Sequence, residues 1–423
     1  MTTDPKDNQR GFARETNAVG GGYDAHAHGG SVKPPVFMTS TFVYPSAQAA
    51  KDVHEVFFGT RPARPGEAQP YIYSRLGHPN LSILEARLAL LDGAEAAACC
   101  NSGMSTISTV LQTLLQPGDV VLHSRPLYGG TDLLINTHLH RFGVKAVAIG
   151  DAVDPASVRH AAEEAMRLGP VGVVMIESPA NPTSAIADIA LAVEVAKEIS
   201  ARQDRKAVVV VDNTFLGPFQ QNPIALGADL CITSLTKYAG GHSDLLAGGV
   251  SGSAELVGRV KQLRTFLGSH LDPYTCWLVT RSLETMHIRT ERAGSNARAI
   301  AEFLRGHPKV KSILYVGFLE EGTKAAEVFA RQCRGAGSTF SFRIKGGEAE
   351  AFRMLDRLRV IRMAVSLGGT ETLICHSAST THYAVPRERR EAGGIDDGTL
   401  RMSVGIEHID DLIADLAQAL DAI

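Results

Sequence analysis

Apolar and polar positions follow three different rhythms along this chain. Residues 1 to about 60 carry glycine clusters, Gly20-Gly21-Gly22 and Gly29-Gly30, and little helical spacing before the apolar and threonine stretch 36–43. This reads as an extended arm, and an arm that cannot bury its own apolar residues is expected to pack on a second subunit. From residue 80 the pattern becomes repetitive: a helix over 81–91, a short buried strand at 96–100 and a helix over 105–115. Pro117-Gly118-Asp119 turns into a strand at 120–122, and further apolar runs lie at 144–149, 171–176 and 208–211, with a helix over 186–200. Short β-rich runs alternating with helices predict a mainly parallel sheet covered on both faces, with ligands beyond the carboxyl ends of its strands.

After Gly249 the rhythm changes to long helical stretches at 256–266 and 276–304, then a strand alternating through Phe340, Phe342 and Ile344. The last helix carries Ile409, Leu412, Ile413, Leu416 and Leu420 on one face and so docks on the body. The reading is an α/β fold with an arm over 1–76, a large domain with a mainly parallel sheet over 77–285, and an α+β C-terminal domain over 286–423. The domain change is placed inside one long helix near residue 285.

Composition narrows the function. The 423 residues are 44% hydrophobic and 21% charged, with a net charge of −3 and both signs interspersed, so no field attracts nucleic acid or an anionic membrane. Six scattered cysteines, with no CxxC pair, argue against a metal site and against a disulfide framework. Met1-Thr2-Thr3-Asp4 lacks the basic and apolar character of a signal peptide, and no apolar run reaches the length of about 18 residues that a membrane span needs. A cytoplasmic small-molecule enzyme is expected.

Candidate chemistry collects in one loop, 234–244, and at four predicted strand ends. Ser234-Leu235-Thr236-Lys237-Tyr238-Ala239-Gly240-Gly241 places two hydroxyls and a lysine before a glycine pair. A partly buried lysine near positive charge condenses with aldehydes, while a solvated loop lysine is the bland alternative. Asn101-Ser102-Gly103-Met104 opens a helix, which suits a phosphate, although Ser102 alone reads as an N-cap. Tyr128 beside Gly129-Gly130 stacks on a flat ligand or serves the loop. Asp212, delivered by four valines, pairs with a protonated ring nitrogen or caps a helix. Asn181 offers an amide to a ligand edge or belongs to an Asn-Pro turn. Together these supply a phosphate seat, a stacking ring, a carboxylate for a pyridine nitrogen and a lysine for an aldehyde, the requirements of pyridoxal 5′-phosphate (PLP).

Tyr73-Ser74-Arg75, Ser102-Gly103-Met104, Leu127-Tyr128-Gly129, Glu177-Ser178-Pro179-Ala180-Asn181-Pro182, Asp212-Asn213-Thr214, Ser234 to Tyr238 and Leu400-Arg401-Met402-Ser403-Val404-Gly405 span nearly the whole chain. In these the sequence resembles the PLP-dependent enzymes of cysteine and methionine metabolism, of fold type I. The resemblance implies Lys237 as the lysine that joins the cofactor and moves protons, with Tyr128 as the second catalytic residue and the stacking ring. It implies cofactor contacts from Ser102, Gly103, Met104, Ser234 and Thr236 around the phosphate, Asp212 at the ring nitrogen and Asn181 at the ring hydroxyl side. Tyr73 and Arg75 are expected to reach the phosphate of a neighbouring subunit, in a homotetramer built from dimers that share active sites. Arg401, with Ser366 and Asn181, is expected to hold the substrate α-carboxylate.

The resemblance also implies chemistry at Cγ of homoserine-derived substrates, and here the chain departs from several relatives. Gly130 stands where methionine γ-lyases carry a cysteine, and Arg264-Thr265 where they carry Lys-Asp. Val365 stands where cystathionine γ-synthases and γ-lyases tend to carry a glutamate, and Ile72 separates Tyr71 from Tyr73 where the synthases often place an acid. Ser379-Thr380-Thr381-His382 and the stretch 404–410 are more similar to O-acylhomoserine sulfhydrylases. The leading expectation is γ-replacement on an activated homoserine, with γ-elimination releasing 2-oxobutyrate and ammonia as the alternative and substrate choice placed around Gly130, Arg264 and Val365. Two readings of other classes are weaker. A cofactor-free Schiff-base aldolase needs no phosphate seat, and a non-catalytic PLP-binding protein has no need to keep both Lys237 and Arg401.

Overall fold

The computed structural model describes residues 11–64 and 71–423; the start of the expected arm, with Met1 to Asp4, lies outside the described residues. Seven strands form the first sheet: β1 (Ala96–Cys100), β2 (Val120–His123), β3 (Lys145–Ala148), β4 (Val171–Glu177), β5 (Val208–Asp212), β6 (Leu230–Thr233) and β7 (Gly248–Gly252). Their order is β1-β7-β6-β5-β4-β2-β3, with β7 antiparallel to both neighbours and the others running the same way. The sheet is thus mixed and mainly parallel, as the apolar runs predict. The apolar runs read from the sequence include neither β6 nor β7. β7 is glycine-rich because a Cβ on Gly248 would fall 2.4 Å from both Ser102 O and Thr106 Oγ1, so the backbone there packs directly on the neighbouring helix.

Both faces are covered. Val174, Ile176, Val209 and Val211 pack against the helices Pro155–Leu168 and Ile189–Ser200. Alternate residues Val173, Met175, Val208 and Val210 turn to the other side, against Ile107, Val110, Val257 and Val260. A strand buried on both faces loses the polar alternation of a surface strand, which is why these runs read as continuous valine and isoleucine.

The second sheet has the order β10-β11-β12-β9-β8, from β8 (Val310–Leu314), β9 (Thr339–Ile344), β10 (Arg362–Met363), β11 (Leu373–His376) and β12 (Thr399–Ser403). Phe340, Phe342 and Ile344 bury against Ile300, Leu304, Leu412 and Leu416. On the opposite face of β9, Ser341 Oγ donates to Pro182 O at 2.6 Å, and Tyr238 OH bonds Thr339 Oγ1 at 2.8 Å. These contacts fix the second sheet against the carboxyl edge of the first.

Two expectations change. The stretch 276–304 is two helices, Pro273–Leu283 and Met286–Arg305. The Arg289 guanidinium donates to Ser282 O and Tyr238 O, both at 2.9 Å, so a side chain satisfies a carbonyl at the break. The arm is not extended throughout: it contains helices Arg14–Gly20 and Ala47–Phe57, the latter capped by Ser46, whose hydroxyl accepts from Ala49 N at 3.1 Å. Much of it lies on its own chain, with Arg14 Nε donating to Leu91 O at 2.8 Å and Trp277 Nε1 to Pro34 O at 3.0 Å.

Candidate active site

The carboxyl ends of β1, β4, β5 and β6, the loop after β2 and the start of the second sheet enclose a cavity of about 630 Å³. Lys237 enters it from the turn after β6. Its Nζ donates to Ser366 Oγ at 3.0 Å, and burial, aided by the Arg401 charge, pushes the amine down to about 8. Such a lysine sheds its proton near neutral pH and becomes a nucleophile.

Arg401 leaves β12 buried, at 3% exposure. Nη1 donates to Asn181 Oδ1 at 3.2 Å and Nη2 to Ser366 O at 2.8 Å, while Nε has no hydrogen-bond partner among the described residues. Both acceptors are uncharged, so the positive charge is left for an anion, and a carboxylate matches a guanidinium fork.

Glu177 and Asp212 end β4 and β5 in register, both buried. Burial raises both carboxyl groups, Glu177 to about 8 with the Asp212 charge adding to the effect. Asp212 Oδ1 accepts from Thr214 N at 3.0 Å, and Glu177 accepts from Asn181 N and from Tyr128 N, each at 2.7 Å. Adjacent buried carboxylates favour a cation beside them, and a protonated pyridine nitrogen is one.

Ser102, also in the cavity wall, caps the helix Gly103–Leu114, accepting from Ser105 N at 3.0 Å, so its hydroxyl has the bland role as well. The first N–H groups of that helix have no intrahelical acceptor, and its first residues Gly103 and Met104 line the cavity together with Ser234 and Thr236. A Cβ on Gly103 would lie 2.8 Å from Ser234 Oγ, so glycine permits the two loops to converge. Thr236 Oγ1 donates to Ala247 O at 3.1 Å and accepts from Ala247 N at 2.9 Å, which holds the lysine turn in shape. Tyr128 packs its ring so close to Gly130 that a Cβ there would meet Tyr128 Cε1 at 2.7 Å and Met104 Sδ at 2.9 Å.

The cavity thus gathers Ser102, Gly103, Met104, Tyr128, Asn181, Asp212, Ser234, Thr236, Lys237, Ser366 and Arg401. Tyr73 and Arg75 are not among its walls: Arg75 Nη1 donates to Thr265 O at 2.7 Å, and its guanidinium lies 5.9 Å from the Tyr73 ring. Arg264 is likewise not among the walls of its own chain's cavity. It is buried, pairs with Glu85 and donates to Cys99 O at 2.6 Å, because a guanidinium at that depth requires a carboxylate. Glu177, Thr214, Leu246, Thr380 and Thr381 line the cavity without having been singled out for it. Glu177 was legible in principle, since a carboxylate that ends a wholly apolar strand must find donors.

A lysine of lowered pKa, a buried carboxylate pair, a helix N-terminus with converging hydroxyls and an uncommitted arginine fit PLP and an amino-acid carboxylate. With the strand-end location they define a PLP-dependent enzyme of fold type I. The family described as Cys/Met metabolism PLP-dependent enzyme matches residues 15–421. The chain is 40% identical over 416 residues to L-methionine gamma-lyase of Pseudomonas putida, covering 97% of this chain and 98% of that protein. It is 35% identical over 410 residues to cystathionine beta-lyase MetC of Bacillus subtilis (strain 168), covering 97% and 96%. Among solved structures, cystathionine gamma synthase from Xanthomonas oryzae pv. oryzae in complex with aminoacrylate and cysteine superposes with a TM-score of 0.86 at 35% identity, covering 97% of this chain and 98% of that one. The chain belongs to the Cys/Met metabolism PLP-dependent enzyme family, and its cofactor is PLP. No helix among the described residues is long and apolar enough to cross a membrane.

Proposed function

We propose that this enzyme acts at Cγ of amino acids whose γ-substituent is uncharged, with γ-replacement on an O-acylated homoserine by a thiol or sulfide as its leading reaction. The carrying observation is the wall of the cavity. Its only carboxylates among the described lining residues are Glu177 and Asp212, both at strand ends, whereas Leu246 and Val365 are apolar and exposed by 66% and 57%. The second ammonium group of cystathionine finds no counter-charge on these walls, while an acetyl ester or a thioether meets compatible surface.

In this reading Arg401, Asn181 and Ser366 hold the substrate carboxylate. Lys237 takes the Cα proton, returns it to the bound substrate–cofactor framework and, neutral again, takes a Cβ proton, while Tyr128 gives a proton to the departing γ-group. Asp212 keeps the ring nitrogen protonated. Bound PLP supplies the electron sink that makes these protons acidic. Ser102, Gly103, Met104, Ser234 and Thr236 seat its phosphate.

A second reading, γ-elimination from methionine, is supported by the names of several relatives and by the same apolar walls, since a thioether is also uncharged. Incubating the holoenzyme with O-acetylhomoserine, O-succinylhomoserine, cystathionine and methionine, with and without sulfide or cysteine, separates the two by product mass. Fastest release of 2-oxobutyrate from methionine replaces the first reading by the second; fastest release from cystathionine also gives γ-elimination, of the cystathionine γ-lyase type, and overturns the argument from uncharged walls. Lys237→Ala is expected to lower turnover by about 10³-fold or more and to abolish borohydride-trapped cofactor on the chain.

The proposal includes the assembly and setting: a cytoplasmic homotetramer of dimers in which Tyr73 and Arg75 complete a neighbour's site. The division into 1–76, 77–285 and 286–423 belongs to it as well.

A further inference from the structure

Glu177 sits where three parts of the site meet. Its two carboxylate oxygens divide two backbone donors between them: Oε2 accepts from Tyr128 N and Oε1 from Asn181 N, both at 2.7 Å. Tyr128 bears the stacking ring at the end of the loop after β2, as the N-cap of the helix Gly129–Leu133, and Asn181 belongs to the loop that touches Arg401. Glu177 is itself anchored, because its N–H donates to Ser124 Oγ at 2.9 Å and β4 is buried along its length. Across the sheet its partner in register is Asp212.

We propose that Glu177 is a positioning residue for the reaction: its carboxylate clamps the backbone of Tyr128 and Asn181 and so sets the stacking ring and the amide beside Arg401 relative to Asp212. The two loops come from different strands, separated by 49 and 4 residues from Glu177 in sequence, and the carboxylate is a rigid two-acceptor bridge between them. A neutral amide of the same size has one acceptor and one NH₂ group. In Glu177→Gln one of the two N–H groups must face another donor, and its loop is released.

The cost of keeping this carboxylate supports the role. Burial and Asp212 both oppose its ionisation, so a residue serving packing alone would be better as an uncharged side chain. Two short bonds from N–H groups counter that opposition only in part while tying down the two loops.

The test compares wild-type holoenzyme with Glu177→Gln, Tyr128→Phe and the double variant. In Glu177→Gln, kcat is expected to fall by about tenfold or more while KM stays within about threefold, since the groups displaced act on the reacting atoms. The circular dichroism of the cofactor band should change, and the amide of residue 128 or 181 should exchange with deuterium at least about tenfold faster. Adding Glu177→Gln to Tyr128→Phe should cost less than the product of the single losses. Wild-type kcat, dichroism and exchange in Glu177→Gln overturn the proposal, as do fully multiplicative losses in the double variant. If Glu177→Gln does not fold, amide exchange in the wild type decides: protection at 128 and 181 equal to that of β4 supports the clamp, and exchange at open-loop rates removes it.

Discussion

Lys237 and Ser366 are 129 positions apart, yet the lysine amine donates to the serine hydroxyl at 3.0 Å. Ser366 pays for this placement in backbone conformation, with φ at 132°, a region that disfavours any residue with a Cβ. Its carbonyl also accepts from Arg401, so one strained residue joins the proton-moving lysine to the carboxylate-binding arginine.

Ser366→Gly should therefore stabilise the fold and impair the enzyme. Relief of strain exceeds the entropic penalty of glycine by about 1 kcal/mol, visible as a higher Tm, while kcat falls because Lys237 loses its acceptor. A variant with lower Tm and unchanged kcat contradicts this account.

The lowered pKa of Lys237 has a defined sign. In the cofactor-free protein the folded amine binds its proton only below about 8, whereas the unfolded chain binds it below 10.5, so stability rises with pH between these values. Capture of added PLP, followed by absorbance, should accelerate as pH rises through about 8. In Arg401→Leu the midpoint should move upward, because the arginine charge contributes to the lowering.

Gly130→Ala tests the packing around Tyr128. The new Cβ would fall 2.7 Å from the Tyr128 ring and 2.9 Å from the Met104 sulfur. Met104 can move aside but the ring has to shift, so kcat should drop by roughly tenfold with little change in Tm. Equal kcat in the variant shows that the ring position tolerates a methyl group.

Arg75 and Thr265 are joined on a face that is not among the walls of their own chain's cavity. If that face completes a neighbour's site, inactive Lys237→Ala and Arg75→Ala chains should regain activity when unfolded, mixed and refolded together. Activity no higher than the sum of the two refolded separately rejects shared sites.

Much of the fold was readable because burial leaves a local mark. The runs at 171–176 and 208–211 are apolar on every residue since both sides of β4 and β5 face helices, and the face of the last helix is plain in Leu412 and Leu416. Legibility failed where a long-range contact overrides a local pattern. Helical spacing runs through residue 285 without interruption, and the break there depends on Arg289 reaching back to Ser282 and Tyr238. The helices at 14–20 and 47–57 are short and lie on either side of the glycine clusters at 20–22 and 29–30, which dominate the composition of the arm.

The same division holds for the site. Residue chemistry and position at strand ends determined the lysine, the carboxylate, the tyrosine and the glycine-flanked helix start, because a parallel sheet sends its carboxyl ends to one edge. Only the tertiary structure decided which groups share an environment. It buried Arg264 against Glu85, set Ser366 on Lys237 and Arg401, and gave Glu177 the backbone of two loops. Desolvation and hydrogen-bond partners depend on neighbours remote in the chain, so the spacing of residues names the groups and their packing assigns the charges.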